Sequence, residues 1–220
     1  RGTTPMRVPL DQPGINKTKT DTMGGVPMGD ERTNEVFVDD VFVPDEYVVG
    51  EVNSGFQYIS QALDLERFTM FTFAPIKERL DVLCDHIRTE TRDGEPLKDD
   101  PIIRQRIAQL ATEAEVARVM GLRVVAESMK ADEVPGTPPP TVESSQYKLF
   151  ATEFSRRLAN ASMDLGAPGT QLRVKTEDAP MKGRPESTYR YTVIDTIGGG
   201  SSEIQKNVIA RRGLGLPKNF

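Results

Sequence analysis

Cysteine, histidine and tryptophan are almost missing from this 220-residue sequence, which has one cysteine, one histidine and no tryptophan. A single cysteine, Cys84, excludes a disulfide within the chain. Cys84 and His86 lie two residues apart in a helical pattern, so their side chains point apart and form neither a metal site nor a Cys-His nucleophile pair. We therefore expect both residues to be structural, and we expect no metal site.

Long apolar runs and basic clusters are also lacking. No stretch approaches the roughly 18 consecutive apolar residues of a membrane span, and the first residues do not resemble a signal peptide. The net charge of -5 and the pI near 5.1 argue against a nucleic-acid-binding surface. Neither a GxGxxG fingerprint nor a P-loop is present, which argues against nicotinamide dehydrogenases and nucleotide hydrolases. We expect a cytoplasmic protein without membrane or nucleic-acid partners.

Residues 1–52 have the pattern of β structure. Residues 6–10 predict a short strand, and residues 34–43 predict a second one that ends before Pro44. So few strands cannot bury both faces of a sheet. We therefore expect them to complete a sheet from sequence that precedes Arg1 or from another chain.

From residue 53 onward the pattern is helical, and the first helix is predicted from Gly55 to about Thr91 with a kink near Pro75. Spacings of three or four give this helix one stripe that is apolar except for a carboxylate. The stripe consists of Ile59, Leu63, Glu66, Met70, Phe73, Ile76, Leu80 and Leu83. A carboxylate that loses hydration among apolar side chains becomes more basic, which is how proteins prepare a general base. Glu66 is therefore the candidate base; the alternative is a helix glutamate that pairs with a neighbouring cation or reaches solvent.

Further helices follow. The second is predicted to begin at Pro101 after two aspartates, and the third to span residues 141–165. A short helix around residues 189–197 and a last one that ends near Arg212 complete the chain. Three long amphipathic helices joined by short loops predict an antiparallel bundle.

The segment GGGSSEIQ at residues 198–205 is the second chemical signal. Three glycines allow a backbone to approach a ligand closely. Ser201 or Ser202 can cap the following helix and leave N–H groups for an anion or a carbonyl oxygen. Glycine-serine loops before helices are also often simple caps, so the segment alone leaves both functions open.

Taken together, these segments resemble the C-terminal half of an acyl-CoA dehydrogenase. The matching segments, in the family's order and spacing, are VPL at residues 8–10, PGI at 13–15, TNEVFVDDV at 33–41, LDLER at 63–67 and GGGSSEIQ at 198–205. The resemblance implies a mainly α fold. Residues 53–220 would form the family's C-terminal antiparallel four-helix bundle, and residues 1–52 an incomplete part of its middle β domain.

The resemblance also implies where the catalytic base lies. The family places its glutamate either in the loop before the last helix, where this chain has Gly199, or in a segment like LDLER of the first bundle helix, where it has Glu66. The implied reaction is FAD-dependent α,β-dehydrogenation of an acyl-CoA thioester to a trans-2-enoyl-CoA. Glu66 would take the α proton while the β hydrogen leaves as hydride to the flavin. The Gly199 N–H would polarise the thioester carbonyl, which needs no side chain.

The same resemblance implies the other site residues and the electron acceptor. The acyl-CoA substrate would face Asp64, Arg67, Gly199 and Gly200. FAD would contact Ser201, Ser202 and Glu203 of its own subunit. Electrons would then leave to an electron-transfer flavoprotein.

Two segments depart from the family pattern, and both would normally reach the flavin of a neighbouring subunit. The family's Arg-x-x-Phe-Gly is matched by ETRDG at residues 90–94, and its Gln-x-x-Gly-Gly by MDLGA at residues 163–167. Acids in these places repel a pyrophosphate. The pattern resembles the catalytic subunit of an actinobacterial α2β2 tetramer that acts on steroid side-chain acyl-CoA. A second acyl-CoA dehydrogenase-like chain would supply the missing contacts.

Three alternatives stay open. A homotetrameric fatty or branched acyl-CoA dehydrogenase could use Arg88 or Arg92 in the missing role. A non-catalytic partner subunit could keep Glu66 as a structural ion pair. A helical interaction module would need no cofactor at all.

Overall fold

The computed structural model describes residues 2–20, 22–24, 33–69 and 72–217, apart from the side chains of Asp64, Leu65 and Thr69. In this part of the chain the helices are α1 (Gly55–Thr69), α2 (Phe73–Thr89), α3 (Pro101–Glu133), α4 (Thr141–Leu165), α5 (Arg184–Asp195) and α6 (Ser202–Val208). The strands are β1 (Ile15–Thr20), β2 (Thr33–Val38), β3 (Thr91–Arg92) and β4 (Glu95–Pro96). The chain is mainly helical, as predicted.

Helix α4 lies at the centre of the bundle, where it contacts α1, α2, α3, α5 and α6. Its apolar face carries Tyr147, Phe154 and Leu158, each 0% exposed. Leu83 of α2 and Val124 of α3 belong to the same core cluster. The predicted bounds of α4 and the predicted four-helix bundle are confirmed. Long amphipathic helices that follow one another in the chain form such a bundle because each buries its apolar face against the others.

The start of α3 is also as predicted. The Asp100 carboxylate accepts hydrogen bonds from the N–H groups of Ile102 and Ile103, at 2.8 and 3.3 Å. Pro101 opens the helix at a position that needs no N–H donor. Farther along, Gly121 lets α3 approach α4 closely, because a Cβ there would lie 3.3 Å from the Tyr147 ring.

The first predicted helix is two helices, so the prediction of one helix kinked near Pro75 is wrong. Helix α1 ends at Thr69 and α2 begins at Phe73, while Met70 and Phe71 lie outside the described residues. Pro75 is in the first turn of α2, where the missing N–H costs no hydrogen bond. The predicted stripe therefore divides between two faces. Ile76, Leu80 and Leu83 are buried, whereas Ile59 and Leu63 are 52% and 37% exposed.

The β region is smaller than predicted. The strand predicted at residues 6–10 is only a single bridge between Met6 and Val48. Pro5 precedes that segment and Pro9 lies within it, and neither can donate to a ladder. Strand β2 ends at Val38 rather than at residue 43, and it pairs antiparallel with β1, which was not predicted. Helix α5 begins at residue 184 instead of 189, and α6 continues as one π-helical turn, Ile209–Gly213. Within the described ranges, every helix is too short or too polar to span a bilayer.

Candidate functional site

The glycine loop, residues 198–201, connects the end of α5 to α6. Gly199 and Gly200 have φ angles of 63° and 95°, a left-handed conformation that favours glycine. The carbonyl oxygen of Gly199 accepts a hydrogen bond from Gln205 Nε2 at 2.9 Å. The carbonyl oxygen of Gly200 accepts from Gln205 Nε2 at 3.0 Å and from Lys148 Nζ at 2.9 Å. Both carbonyls therefore point into the bundle.

The two side chains that hold the loop are fully buried. Lys148 and Gln205 are each 0% exposed. Burial lowers the pKa of Lys148, while the carboxylates of Asp195, Glu153 and Glu203 oppose that shift. Gln205 Oε1 is buried without a hydrogen-bond partner among the described residues, which costs about 1–3 kcal/mol.

A seam of polar side chains continues from the loop between α4 and its neighbours. Ser202 Oγ donates to Glu153 at 2.7 Å. The Arg79 guanidinium donates to Ser155 Oγ at 2.5 Å, and Ser155 Oγ donates to Asp195 at 3.4 Å. This polar seam links α2, α4, α5 and α6. The loop therefore packs on a layer of hydrogen-bonded side chains and not on an apolar layer.

Glu66, the predicted base, is half-buried on α1. Ile59, Leu63 and Glu66 follow one another at spacings of four and three, so they share one face of the helix. That face is directed away from the bundle, because Ile59 and Leu63 are exposed. The opposite face of α1 carries Gln61 and Phe68, which line a cavity of about 430 Å³ against α3 and α4.

The other predicted substrate residues divide between α1 and the glycine loop. Arg67 is half-buried beside Glu66, and the side chain of Asp64 lies outside the described part of the chain. Gly199 and Gly200 are in the loop. Helices α1 and α6 both contact α4, so the structure brings the two groups against the same central helix.

The three predicted flavin contacts follow directly after the glycines. Ser201 caps α6, since its hydroxyl accepts from the Ile204 N–H at 3.4 Å. The Ser202 side chain is buried, and its hydroxyl donates a hydrogen bond to the Glu153 carboxylate. Glu203 is exposed, and hydrogen bonds from its own backbone N–H and from the Ser201 hydroxyl lower the pKa of its carboxyl.

The two segments that depart from the family pattern lie together in space. The Arg92 guanidinium donates to the carbonyl oxygens of Leu165 and Ala167 at 2.9 and 2.8 Å, so it joins residues 90–94 to residues 163–167. Asp93 is at the tip of the β3–β4 hairpin with a φ of 53°, in the Asp-Gly turn that such hairpins favour. His86 lies close to Glu90 and Gly166, and burial lowers the pKa of its imidazole.

Sequence reasoning missed Lys148, Gln205 and Glu153. Lys148 lies on the face of α4 that also carries Thr152, Ser155 and Ser162, all of them buried. A lysine at helical spacing with small polar residues indicates a buried polar contact. That pattern could have identified Lys148 as a buried polar residue. It could not have identified its partner, because the Gly200 carbonyl oxygen is 52 residues away.

Comparisons with known proteins agree on one family. The model for the C-terminal domain of acyl-CoA dehydrogenases matches residues 53–214. The acyl-CoA dehydrogenase FadE26 of Mycobacterium tuberculosis is 29% identical over 219 residues, which cover 99% of this chain and 53% of that protein. The acyl-CoA dehydrogenase IpdE1 of Mycolicibacterium smegmatis is 31% identical over 215 residues, which cover 96% of this chain and 48% of that protein.

A solved structure shares the fold. The crystal structure of the ChsE4-ChsE5 complex from Mycobacterium tuberculosis matches with a TM-score of 0.85 and 27% identity, over 99% of this chain and 53% of that one. The chain thus spans about half the length of the relatives that it matches.

Proposed function

The chain belongs to the acyl-CoA dehydrogenase family, and on that premise we propose that it provides the catalytic base for FAD-dependent α,β-dehydrogenation of an acyl-CoA thioester to a trans-2-enoyl-CoA. Glu66 is that base. Residues 53–220 form its C-terminal helical domain, and residues 1–52 belong to the middle β domain. The enzyme works in the cytoplasm and passes its electrons to an electron-transfer flavoprotein.

One observation carries this proposal: Glu66 projects from the apolar face of α1 that the bundle leaves uncovered. Ile59 is 52% exposed and Phe56 is 79% exposed, so the neighbourhood of Glu66 is apolar and open to a ligand. An acyl chain that covers this face would also strip water from the carboxylate and make it a stronger base. A broad apolar wall suits a bulky acyl group, and we propose steroid side-chain acyl-CoA as the substrate class.

The glycine loop provides the second part of the site. Among the described residues, none accepts a hydrogen bond from the Gly199 N–H or the Gly200 N–H, so both donors are available to a thioester carbonyl. Such donors stabilise the negative charge that develops on the oxygen when the α proton leaves. Arg67 and Asp64, beside Glu66 in the chain, would help to position the substrate.

The residues after the glycines fit a flavin. The Ser201 hydroxyl is only half-buried, and Glu203 is exposed, so polar atoms are presented at the mouth of the loop. The Ser202 hydroxyl donates to Glu153. This bond would fix the turn that places Ser201 and Glu203 next to the cofactor. Bound FAD would accept the β hydrogen as hydride.

The chain acts within an α2β2 tetramer in this proposal. Glu90, Asp93 and Asp164 are all exposed near the hairpin, so this surface presents acids where the family uses a cation and an amide. Arg92, the replacement considered for a homotetramer, is engaged with Leu165 and Ala167. Arg88 is 69% exposed and pairs with Asp85. A second acyl-CoA dehydrogenase-like chain would therefore complete the flavin contacts.

The test is a Glu66→Gln substitution in the purified enzyme with its partner chain. Losing a general base lowers kcat by about 10² to 10⁴-fold, while flavin content and acyl-CoA binding stay unchanged. Glu127→Gln is the matched control, since Glu127 is a half-buried glutamate on α3, as Glu66 is on α1. Full activity in Glu66→Gln would exclude Glu66 as the base and favour a non-catalytic partner subunit.

Flavin counting decides the assembly. Two flavins per four chains of two kinds support the α2β2 enzyme. Four flavins in a tetramer of this chain alone would exclude the partner and favour a homotetrameric fatty or branched acyl-CoA dehydrogenase. No flavin in any assembly would refute the cofactor assignment.

A further inference from the structure

We propose that Lys148 and Gln205 are positioning residues that hold the glycine loop in the shape its N–H donors require. We call this pair the carbonyl clamp. Its chemical consequence rests on the proposed function, because the loop's donors are there assigned to the thioester carbonyl. The clamp itself is a property of this chain, and it can be tested without turnover.

The first argument is the geometry of the peptide group. In a trans peptide the C=O and the following N–H point in opposite directions. The clamp draws the Gly199 and Gly200 carbonyls toward atoms that are fully buried. The N–H groups of Gly200 and Ser201 must therefore face away from the bundle interior, toward the open side.

The Gly199 N–H is fixed from both sides. Before it, the Gly198 N–H donates to the Ile194 carbonyl at 2.8 Å at the end of α5. After it, the Gly199 carbonyl is held by Gln205. A peptide plane between two anchored neighbours has little freedom, even though Gly199 has no side chain to restrict it.

The second argument is the flexibility that the clamp must suppress. Three consecutive glycines have more backbone freedom than any other tripeptide, and two of them adopt positive φ angles here. Side-chain donors that reach the carbonyls from α4 and α6 remove that freedom. A charged donor such as Lys148 makes the stronger of these bonds.

The third argument is what the chain sacrifices for these bonds. Lys148 is completely buried, and three carboxylates lie close enough to favour its charge. The Gln205 amide directs its nitrogen to both carbonyls and leaves Oε1 without a partner among the described residues. A buried ammonium group and an unpaired amide oxygen would both destabilise an ordinary core. They are useful to a loop whose carbonyls must be held so that its N–H groups face outward.

Three variants of the purified enzyme test the clamp: Lys148→Met, Gln205→Met and the control Lys206→Met. Lys206 is exposed and neighbours Gln205 on α6. Gln205→Met also removes the unpaired Oε1, so its melting temperature should stay close to that of the unchanged enzyme, and its effects are not those of unfolding.

Hydrogen–deuterium exchange of peptides that cover residues 196–205 is the first readout. The protected amides of the loop are at its two ends, where the Gly198 N–H donates to the Ile194 carbonyl and the Ser202 N–H to the Thr196 carbonyl. We expect exchange of these two amides to rise at least about tenfold in Lys148→Met and Gln205→Met, but not in Lys206→Met, as the loop opens locally. Exchange in the middle of α3 should not change. Loop exchange equal to that of the control in both variants would overturn the clamp, whatever Glu66→Gln shows.

The second readout separates positioning from binding. Displacing a catalytic donor by about 1 Å can cost about 100-fold in rate, so kcat should fall by that order in both variants while KM for the acyl-CoA changes little. Faster loop exchange with an unchanged kcat would refute the positioning role. If Glu66→Gln is fully active, Glu66 is not the base, but the exchange result still decides whether the loop is clamped.

Discussion

Replacing Arg92 by methionine distinguishes a structural arginine from one that serves a cofactor in a neighbouring subunit. Arg92 Nη2 donates to two carbonyls, at 2.9 and 2.8 Å, and so joins the β3–β4 hairpin to the end of α4. A hydrogen bond to a charged group contributes about 1.5–3 kcal/mol. Because Arg92 is only half-buried, we assign about 2 kcal/mol to the pair together.

For a chain of this size, 1 kcal/mol shifts the melting temperature by about 2–4 °C. Arg92→Met should therefore lower it by about 4–8 °C, measured by circular dichroism at 222 nm. Arg88→Met is the control, since Arg88 is 69% exposed and its pair with Asp85 contributes at most about 1 kcal/mol. Equal shifts in the two variants would refute the structural role. Loss of flavin from Arg92→Met at an unchanged melting temperature would favour the homotetramer instead.

Three further predictions concern stability. Leu158→Ala should lower the free energy of unfolding by about 3 kcal/mol in urea titrations, because Leu158 is 0% exposed, whereas Leu122→Ala at a 55% exposed site should have little effect. Asp100→Ala should cost about 1 kcal/mol through loss of the α3 cap. Asp99→Ala should cost less, since the Asp99 side chain caps no helix in the described part of the chain. Burial raises the pKa of Tyr147 to about 12. Since the folded pKa exceeds the unfolded value, the stabilisation from the neutral phenol is complete below pH 10 and is lost as pH rises toward 12. Absorbance at 295 nm should show a late tyrosine step that Tyr147→Phe removes; a normal titration of all five tyrosines would contradict it.

The long helices were predictable because their signals are local. Asp100 and Pro101 mark the start of α3, and apolar spacings of three and four define the buried faces of α3 and α4. The break between α1 and α2 was not predictable in this way, because the apolar stripe continues across residues 70–72 without a change of period. Strand β1 was missed because its sequence, INKTKT, has one apolar residue.

The candidate site was predictable only in part. Glu66 and the glycine loop were identified from their segments, and their assigned roles stay predictions. The carbonyl clamp and the Arg92 contacts were not predicted, because all of them join a side chain to a backbone oxygen. For Lys148 and Arg92 that oxygen is more than 50 residues away, and for Gln205 it is five or six residues away. Backbone acceptors carry no sequence signature, so only the folded chain reveals them.

The bundle has two unlike halves, and they should differ in how much sequence change they accept. Around Phe154 and Leu158 the contacts are apolar, and apolar cores accept many alternative residues as long as the total volume is kept. Along the polar seam each residue has a specific hydrogen-bond partner, such as Ser202 with Glu153. A change there leaves a buried polar atom unpaired. Single substitutions should therefore accumulate mainly on the apolar side of α4. On the side beneath the glycine loop, residues can change only by coordinated pairs of substitutions.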